Sequence, residues 1–313
     1  MVRLFVLLLL LSVPALADPS ARLSPGEHQA VVNDVRLWYR VAGRTSGVPV
    51  VFLHGVRGEG SQTFAQFAGP ALEPELRMVY LDQRGSGRSE RPWNQAYSLD
   101  LLVEDLERLR IAWGVPKIAL IGHSFGTILA LEYAARHADH VYAVVLAASV
   151  PDIPAAIDLQ CERLSATDPE AFARARAALA PGGKTRCNIF QAYSGDKAKA
   201  FITANMFPKP ETGRMVDAAD SEGALRNTGE LGRALFASGL LDYRLQRAER
   251  VTAPVLIVAG GSDHQAMVEP QRALASRLPR GRILEYPGLG HFMFVEDPAR
   301  FGRDVAAFFK NPR

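Results

Sequence analysis

Residues 122–126, with the sequence GHSFG, place one serine between two glycines. An apolar run at 117–121 precedes this segment, and a helix-like pattern from Thr127 to His137 follows it. Glycines on both sides leave room for a sharp turn between a strand and a helix, and such a turn exposes its central side chain. The spacing favours Ser124 as a nucleophile, and a serine that only caps the helix is the alternative.

A serine hydroxyl needs a base to activate it, and the base needs an acid to orient it. Asp263 lies in GGSDH after a predicted strand at 253–261, and His291 lies in GLGHF after another at 282–288. The chain order of nucleophile, acid and base is the one that accompanies this kind of turn. We therefore predict a catalytic triad of Ser124, Asp263 and His291, with Asp152 as a rival acid.

The negative charge that forms during attack by a serine is held by backbone amides near the nucleophile. One donor is expected from the residue after the serine, Phe125, and the other from the glycine-rich loop 54–60, for which Val56 is the candidate. His54 and Gly55 begin that loop, and His123 precedes the serine. We expect these last three residues to shape the loops of the site and not to carry protons.

Short apolar runs bounded by turn residues recur along the chain and predict the strands that position these groups. Residues 30–41 alternate apolar and polar around an Asn33-Asp34 turn and predict an antiparallel hairpin. The later runs are continuously apolar, as is typical of parallel strands buried on both faces. They lie at 48–55, 78–82, 117–122, 142–149, 253–261 and 282–288.

Helical patterns alternate with these strands, for example at 99–113 after Ser98 and at 298–309. The alternation predicts an α/β fold with a mostly parallel, doubly wound sheet. It breaks at 151–250, a stretch without a convincing buried strand, which predicts a helical cap inserted into the domain. The predicted core therefore has a first part at 18–150 and a second at 251–313.

The first 17 residues combine Arg3, an apolar run and the small-residue signal Ala15-Leu16-Ala17, which is the pattern of a secretory signal peptide. No later segment is apolar enough to span a membrane, so we expect an exported, periplasmic or extracellular chain. An oxidising compartment allows thiols to pair. The two cysteines, Cys161 and Cys187, are therefore a candidate disulfide, and two unpaired thiols are the alternative.

Overall composition excludes several classes of function. The 36 basic and 33 acidic residues give a net charge of +3, without the basic stripe that tracks a phosphate backbone. We therefore expect no nucleic-acid partner. No H-E-x-x-H or paired C-x-x-C motif occurs, and we predict neither a metal nor another cofactor.

Several motifs together resemble the α/β-hydrolase superfamily: His54-Gly55, the GHSFG turn, GGSD and GLGHF. DQRGSGRS at 82–89 in particular resembles the branch of the proline iminopeptidases. The resemblance implies the α/β-hydrolase fold with a helical cap, and cap carboxylates that hold the free amine of a peptide substrate. The chain differs from the usual motifs of those peptidases at His123 and at Val56-Arg57, because they have Gly-Gly-Ser-x-Gly-Gly and His-Gly-Gly-Pro-Gly.

Together these features predict an exported serine hydrolase that cleaves an ester or amide bond through an acyl-enzyme. The expected partner is a small ester, amide or short peptide. A proline iminopeptidase-like aminopeptidase is the alternative within this class, and a non-catalytic ligand-binding protein of the same fold is the alternative outside it.

Overall fold

The computed structural model describes residues 23–56, 60–222 and 229–312, so the predicted signal peptide at 1–17 lies outside the described residues. Within these ranges eight strands form one sheet in the order β1-β2-β4-β3-β5-β6-β7-β8. The strands are β1 Gly26–Val32, β2 Val35–Gly43, β3 Pro49–Leu53, β4 Arg77–Leu81, β5 Ile118–His123, β6 Val141–Ala147, β7 Val255–Gly260 and β8 Gly281–Tyr286.

The first two strands form the predicted antiparallel hairpin. Its two-residue turn consists of Asn33 and Asp34, whose φ angles are 46° and 61°. Two successive positive φ angles give a turn whose twist matches that of the flanking strands, and Asn and Asp adopt them more readily than most residues. β2 then pairs antiparallel with β4 and joins the hairpin to the sheet.

Strands β3 to β8 all run parallel to one another, so the antiparallel pairs involve only β1 and β2. β3, β5 and β7 are buried along their whole length, which explains their continuous apolar sequences. The predicted mostly parallel sheet is therefore confirmed. Because the strands run in one direction, the residues that follow them meet at a single edge of the sheet.

Twelve α-helices accompany the sheet within the described ranges. They are α1 Gln62–Phe67, α2 Gly69–Leu72, α3 Leu99–Trp113, α4 Phe125–Arg136, α5 Ile153–Thr167, α6 Pro169–Ala177, α7 Gly195–Met206, α8 Pro210–Glu222, α9 Glu230–Ala237, α10 Val268–Arg277, α11 Met293–Glu296 and α12 Pro298–Lys310. α3 has the predicted bounds: Ser98 Oγ accepts a hydrogen bond from Leu101 N, and Gly114, with φ 69°, ends the helix.

Helices cover both faces of the sheet. Alternate residues of β3 point to opposite faces, with Val51 and Leu53 in one core and Val50 and Phe52 in the other. α3, α4 and α10 pack into the first core, and α1, α2, α11 and α12 pack into the second. This is the layered arrangement expected of a doubly wound sheet.

Five helices, α5 to α9, lie between β6 and β7 in the chain, although these two strands are neighbours in the sheet. The described part of this insertion adds no strand to the sheet. α5 and α6 build a small core of their own, which includes Ile157, Leu164 and Ala171. The insertion is therefore a helical unit set onto an uninterrupted sheet.

The structure joins Cys161 of α5 to Cys187 by a disulfide, with a sequence separation of 26 residues. Both sulfur-bearing residues are fully buried in the small core of the insertion. The bridge ties the segment after α6 back onto α5. The observed pair agrees with the pairing that the sequence favours.

Reduction of this disulfide is expected to lower the free energy of unfolding by roughly 3 kcal/mol, because the bridge limits the conformations of the unfolded chain. Mass spectrometry after alkylation of the denatured protein should find no modified cysteine without reductant and two after reduction. Denaturant titration with and without reductant gives the stability change. Two cysteines that are alkylated without reductant would contradict the pairing.

Candidate active site

A cavity of about 780 Å³ lies at the edge of the sheet where the parallel strands end. His54 after β3, Ser124 after β5 and His291 after β8 line it. The helices α7, α8 and α9 supply much of the remaining wall. The cavity therefore lies between the sheet and its helical insertion, where open α/β sheets bind ligands.

Ser124 occupies a strained turn between β5 and α4, with φ 54° and ψ −121°. A side chain at Gly122 would collide with the backbone of Gly126, and one at Gly126 would collide with the backbone of Leu53. Only glycine therefore allows this approach of strand, turn and helix. Ser124 takes the N-cap position of α4, but its side chain makes no capping hydrogen bond. The capping alternative is thus not what the structure shows, and Ser124 instead lines the cavity.

His291 and Asp263 form a buried pair, with 2.8 Å between His291 Nδ1 and Asp263 Oδ2. Each residue is only 2% exposed. The other carboxylate oxygen, Asp263 Oδ1, accepts hydrogen bonds from the backbone N–H groups of Gln265 and Ala266 at 2.9 and 3.0 Å. A carboxylate can only accept in these contacts, so Nδ1 carries a proton, and in the neutral imidazole Nε2 of His291 has the lone pair.

The loop after β3 passes directly beside the serine. A Cβ atom placed on Gly55 would lie 3.3 Å from Ser124 Cβ and 3.7 Å from its Oγ. Val56 follows and lines the cavity, while residues 57–59 of the same loop lie outside the described residues. Phe125 is the first residue of α4, where the N–H group has no acceptor within the helix. Phe125 thus follows Ser124 in the chain, and Val56 follows the residue that lies against it.

Both ring nitrogens of His54 form hydrogen bonds to backbone groups. Its Nδ1 donates a hydrogen bond to Gly55 O at 2.8 Å, and its Nε2 accepts one from Gln83 N at 3.0 Å. No lone pair is left for proton abstraction. His54 therefore joins the loop after β3 to the loop after β4, as expected of a residue that shapes the site.

Asp82 also links the loop after β3 to the loop after β4. Its fully buried carboxylate accepts hydrogen bonds from Ser61 N and Oγ, both at 2.7 Å, and from Arg88 N at 2.9 Å. Arg88 Nε also pairs with it at 2.8 Å. In the same segment, the buried Arg84 forms a bidentate ion pair with Asp105. The DQRGSGRS segment thus braces the loops that carry the site.

Neither the rival acid nor the neighbouring histidine joins the pair of His291. Asp152 caps α5 through Ala155 N at 2.9 Å and pairs with Arg244 at 3.0 Å. His264 lines a different groove, together with Arg163. Burial and, secondarily, the charge of Arg163 lower the pKa of His264.

The insertion contributes residues that the sequence analysis did not single out. They recur at helical spacing on the walls of the cavity. On α7 they are Lys199, Ile202, Thr203 and Met206, and on α8 they are Gly213, Arg214, Val216, Asp217 and Asp220. The 3–4-residue spacing could have been read from the sequence. Which stripe faces the cavity, however, depends on how the helices pack.

A group of potential metal ligands lies away from the cavity. Glu107, His137 and His140 have ligand atoms within 4.8 Å of one another. Burial opposes ionisation of Glu107, but hydrogen bonds from Arg110 and Tyr133 outweigh it and lower the pKa of Glu107 to about 2. The carboxylate is thus already paired with an arginine, and the three residues are not among those that line the cavity.

Comparisons with known proteins agree with this architecture. Residues 48–298 match the family described as alpha/beta hydrolase fold. A proline iminopeptidase of Xylella fastidiosa is 38% identical over 128 residues, and the match spans only 40% of either protein. Proline iminopeptidase PfmaB of Pestalotiopsis fici is 26% identical over 275 residues, which are 85% of this chain and 92% of the relative.

A solved structure gives the same result. The proline iminopeptidase-related protein of Thermus thermophilus superposes with a TM-score of 0.76 at 25% identity. The superposition covers 92% of this chain and 98% of that protein, so it includes both the sheet and most of the helical insertion.

Proposed function

The chain belongs to the α/β-hydrolase fold family, and from this premise we propose that it is a serine hydrolase that cleaves an ester or amide bond through an acyl-enzyme. One observation carries the proposal. The strained turn presents Ser124 to the cavity that His291 also lines, and His291 is oriented by a buried hydrogen bond to Asp263. Within this proposal residues 151–250 form the cap over the site.

In the proposed reaction Ser124 Oγ attacks the carbonyl carbon while its proton passes to His291 Nε2. The tetrahedral intermediate collapses, and the imidazolium returns the proton to the departing alcohol or amine. Water then repeats the sequence on the acyl-enzyme and releases a carboxylic acid. Proton transfer needs Oγ within hydrogen-bond reach of Nε2, a contact that often tightens only when substrate binds.

Backbone amides of Val56 and Phe125 are the proposed donors to the oxyanion. Gly55 supports this assignment, since its missing side chain lets the loop lie against Ser124. The position of Phe125 at the first turn of α4 adds the positive end of the helix dipole. Loss of one such donor commonly reduces kcat by about 10² to 10³-fold.

A fluorophosphonate probe tests the proposal directly. We expect one adduct per chain, located on Ser124 by peptide mass spectrometry, and none in Ser124→Ala. Folded wild-type protein that remains unlabelled would overturn the proposal and favour the non-catalytic ligand-binding alternative.

The lining of the cavity supports an apolar acyl group. Phe52, Phe64 and Phe294 line its inner wall, and Ile202 and Phe236, although 41% and 42% exposed, line it from the insertion. Ligand pockets of this kind bind by burying apolar surface, with a few polar groups that fix orientation. We therefore expect p-nitrophenyl butyrate and aromatic esters to be better substrates than the acetate.

A second candidate is an aminopeptidase, which the proline iminopeptidase relatives and the charges on α8 support. Asp217 and Asp220 line the cavity, and Asp220 also accepts a hydrogen bond from Thr63 Oγ1. These carboxylates could hold the free amine of a peptide. Lys199 and Arg214 border the same cavity and could hold the carboxylate of a short peptide.

Asp217→Asn and Asp220→Asn distinguish the two candidates. For an aminopeptidase, each change is expected to lower kcat/KM for prolyl p-nitroanilide about 10-fold, because the ammonium group loses a negatively charged acceptor. The rate with p-nitrophenyl butyrate should not change. Glu222→Gln, at an exposed position of the same helix, is the matched control. Equal rates for free-amine and N-acetylated substrates would contradict the peptidase candidate.

Export is proposed on the N-terminal pattern and is supported by the Cys161–Cys187 disulfide, a bond found mainly in proteins of oxidising compartments. None of the helices in the described ranges is long and apolar enough to cross a bilayer. Expression of the full chain should yield a protein in the periplasm or medium that begins after Ala17. A cytosolic chain that keeps residues 1–17 would contradict this proposal.

A further inference from the structure

The peptide group of His291 lies outside regular secondary structure and is held from two sides. Its N–H donates a hydrogen bond to the carbonyl oxygen of Met206, the last residue of α7, at 2.9 Å. Its own carbonyl oxygen accepts one from His123 Nε2, also at 2.9 Å. We propose that His123 is a positioning residue, which sets the placement of His291 relative to Ser124. This inference rests on the proposed serine-hydrolase function.

His123 is well placed for this task because it is fixed to the nucleophile by one peptide bond. It ends β5, where its backbone pairs with Ala147 of β6. Its ring is 4% exposed and packs edge-on against Phe292 and Phe294, with ring centroids 4.7 and 5.0 Å apart. A buried ring with these neighbours has little freedom to turn. The distance from the serine turn to the carbonyl of His291 is therefore fixed.

The direction of the hydrogen bond excludes another role for His123. A carbonyl oxygen can only accept, so His123 Nε2 carries a proton and cannot remove one from Ser124 at that atom. If a side chain without a donor replaced His123, the buried carbonyl of His291 would lose this partner. Burial of an unpaired polar group is unfavourable, and the loop is expected to shift to reach another donor.

The loop that carries His291 also packs tightly against the end of α7. A Cβ atom on Gly290 would collide with the carbonyl oxygen of Met206 and with Pro208. Gly290 N also donates to Glu296 Oε1 at 2.8 Å. The placement of His291 thus depends on His123 and on the end of α7 together. Misplacement of a reacting group by about 1 Å commonly slows a reaction about 10²-fold.

His123→Phe tests the proposal, because phenylalanine keeps the ring contacts and removes the donor. We expect kcat to fall by about 10 to 100-fold with KM changed little, and the rate of labelling by a small fluorophosphonate to fall in parallel. His123→Gln restores an N–H donor at similar reach and should recover most of both rates. A merely structural role would not separate these two variants at equal stability.

One further variant and two controls keep the test decisive if His123→Phe folds poorly. Gly290→Ala disturbs the same clamp from the side of α7 and should lower kcat with little change in KM. Gly288→Asn is its control, since that position is open and asparagine tolerates its φ of 76°. Leu109→Ala, on the buried face of α3, should reduce stability without slowing the reaction.

The outcomes separate the two proposals. If wild-type protein reacts with the probe and His123→Phe reacts as fast, the role of His123 is overturned while the hydrolase proposal stands. That role is also overturned if the glutamine variant is as slow as the phenylalanine variant. If folded wild-type protein does not react at all, the proposed function and this inference fail together.

Discussion

Replacing Ser124 by alanine is expected to lower kcat by about 10⁵-fold or more, and replacing His291 by alanine by nearly as much, because nucleophile and base act as one unit. KM should change little, since the walls of the cavity that bind the substrate stay intact. Steady-state hydrolysis of p-nitrophenyl butyrate by purified variants measures both constants. The serine variant should also fail to react with a fluorophosphonate.

The double variant gives a stricter form of this test. Ser124→Ala combined with His291→Ala should be no more than a few-fold slower than either single change. Ser98→Ala is the matched control, because it removes a serine that caps α3 and should lower the free energy of unfolding by about 1 kcal/mol without affecting kcat. Substantial hydrolysis by Ser124→Ala would show that another group is the nucleophile.

The elements that position these residues could be predicted because their signals are local. Ser98 and Gly114 mark the two ends of α3, and both ends lie where the sequence puts them. The Asn33-Asp34 turn and the alternating residues beside it specify the first hairpin in the same way. α4 begins at Phe125, two residues before the predicted start, because the strained backbone of the turn passes directly into the helix.

The walls of the cavity could not be predicted, because they depend on how the insertion packs. The sequence of 151–250 contains many acids, and only the docking of α8 selects Asp217 and Asp220. The contact between Met206 and His291 joins residues 85 positions apart, and no motif marks it. Ser124 and His291 were easier to predict as cavity residues, since each follows a strand that the sequence itself reveals.

His123 makes a long-range contact that the GHSFG motif alone does not predict. The sequence identifies it only as a residue within the turn, at a place where the proline iminopeptidase motif has glycine. In the structure the imidazole reaches the loop of His291, 168 residues away in the chain. Glycine at this position could not make that bond. The difference from the peptidase motif is thus linked to a hydrogen bond that holds the loop of His291.

Asp263→Asn is expected to lower kcat by about 10⁴-fold. The surroundings of Asp263 explain why an amide is not a neutral replacement. The backbone N–H groups of Gln265 and Ala266 point at Oδ1, so the amide oxygen must stay on that side. The amide NH₂ group then faces His291 Nδ1, which must accept instead of donate. The imidazole proton moves to Nε2, and the lone pair that would deprotonate Ser124 is lost.

Asp152→Asn provides the matched control, since it makes the same change in the carboxylate that caps α5 and pairs with Arg244. We expect this variant to keep its kcat and to lose a little stability. Circular dichroism should show that both variants are folded before their rates are compared. Nearly full activity of Asp263→Asn, with loss of activity in Asp152→Asn, would transfer the orienting role to Asp152. The hydrogen bond between His291 Nδ1 and Asp263 Oδ2 makes the opposite result the expected one.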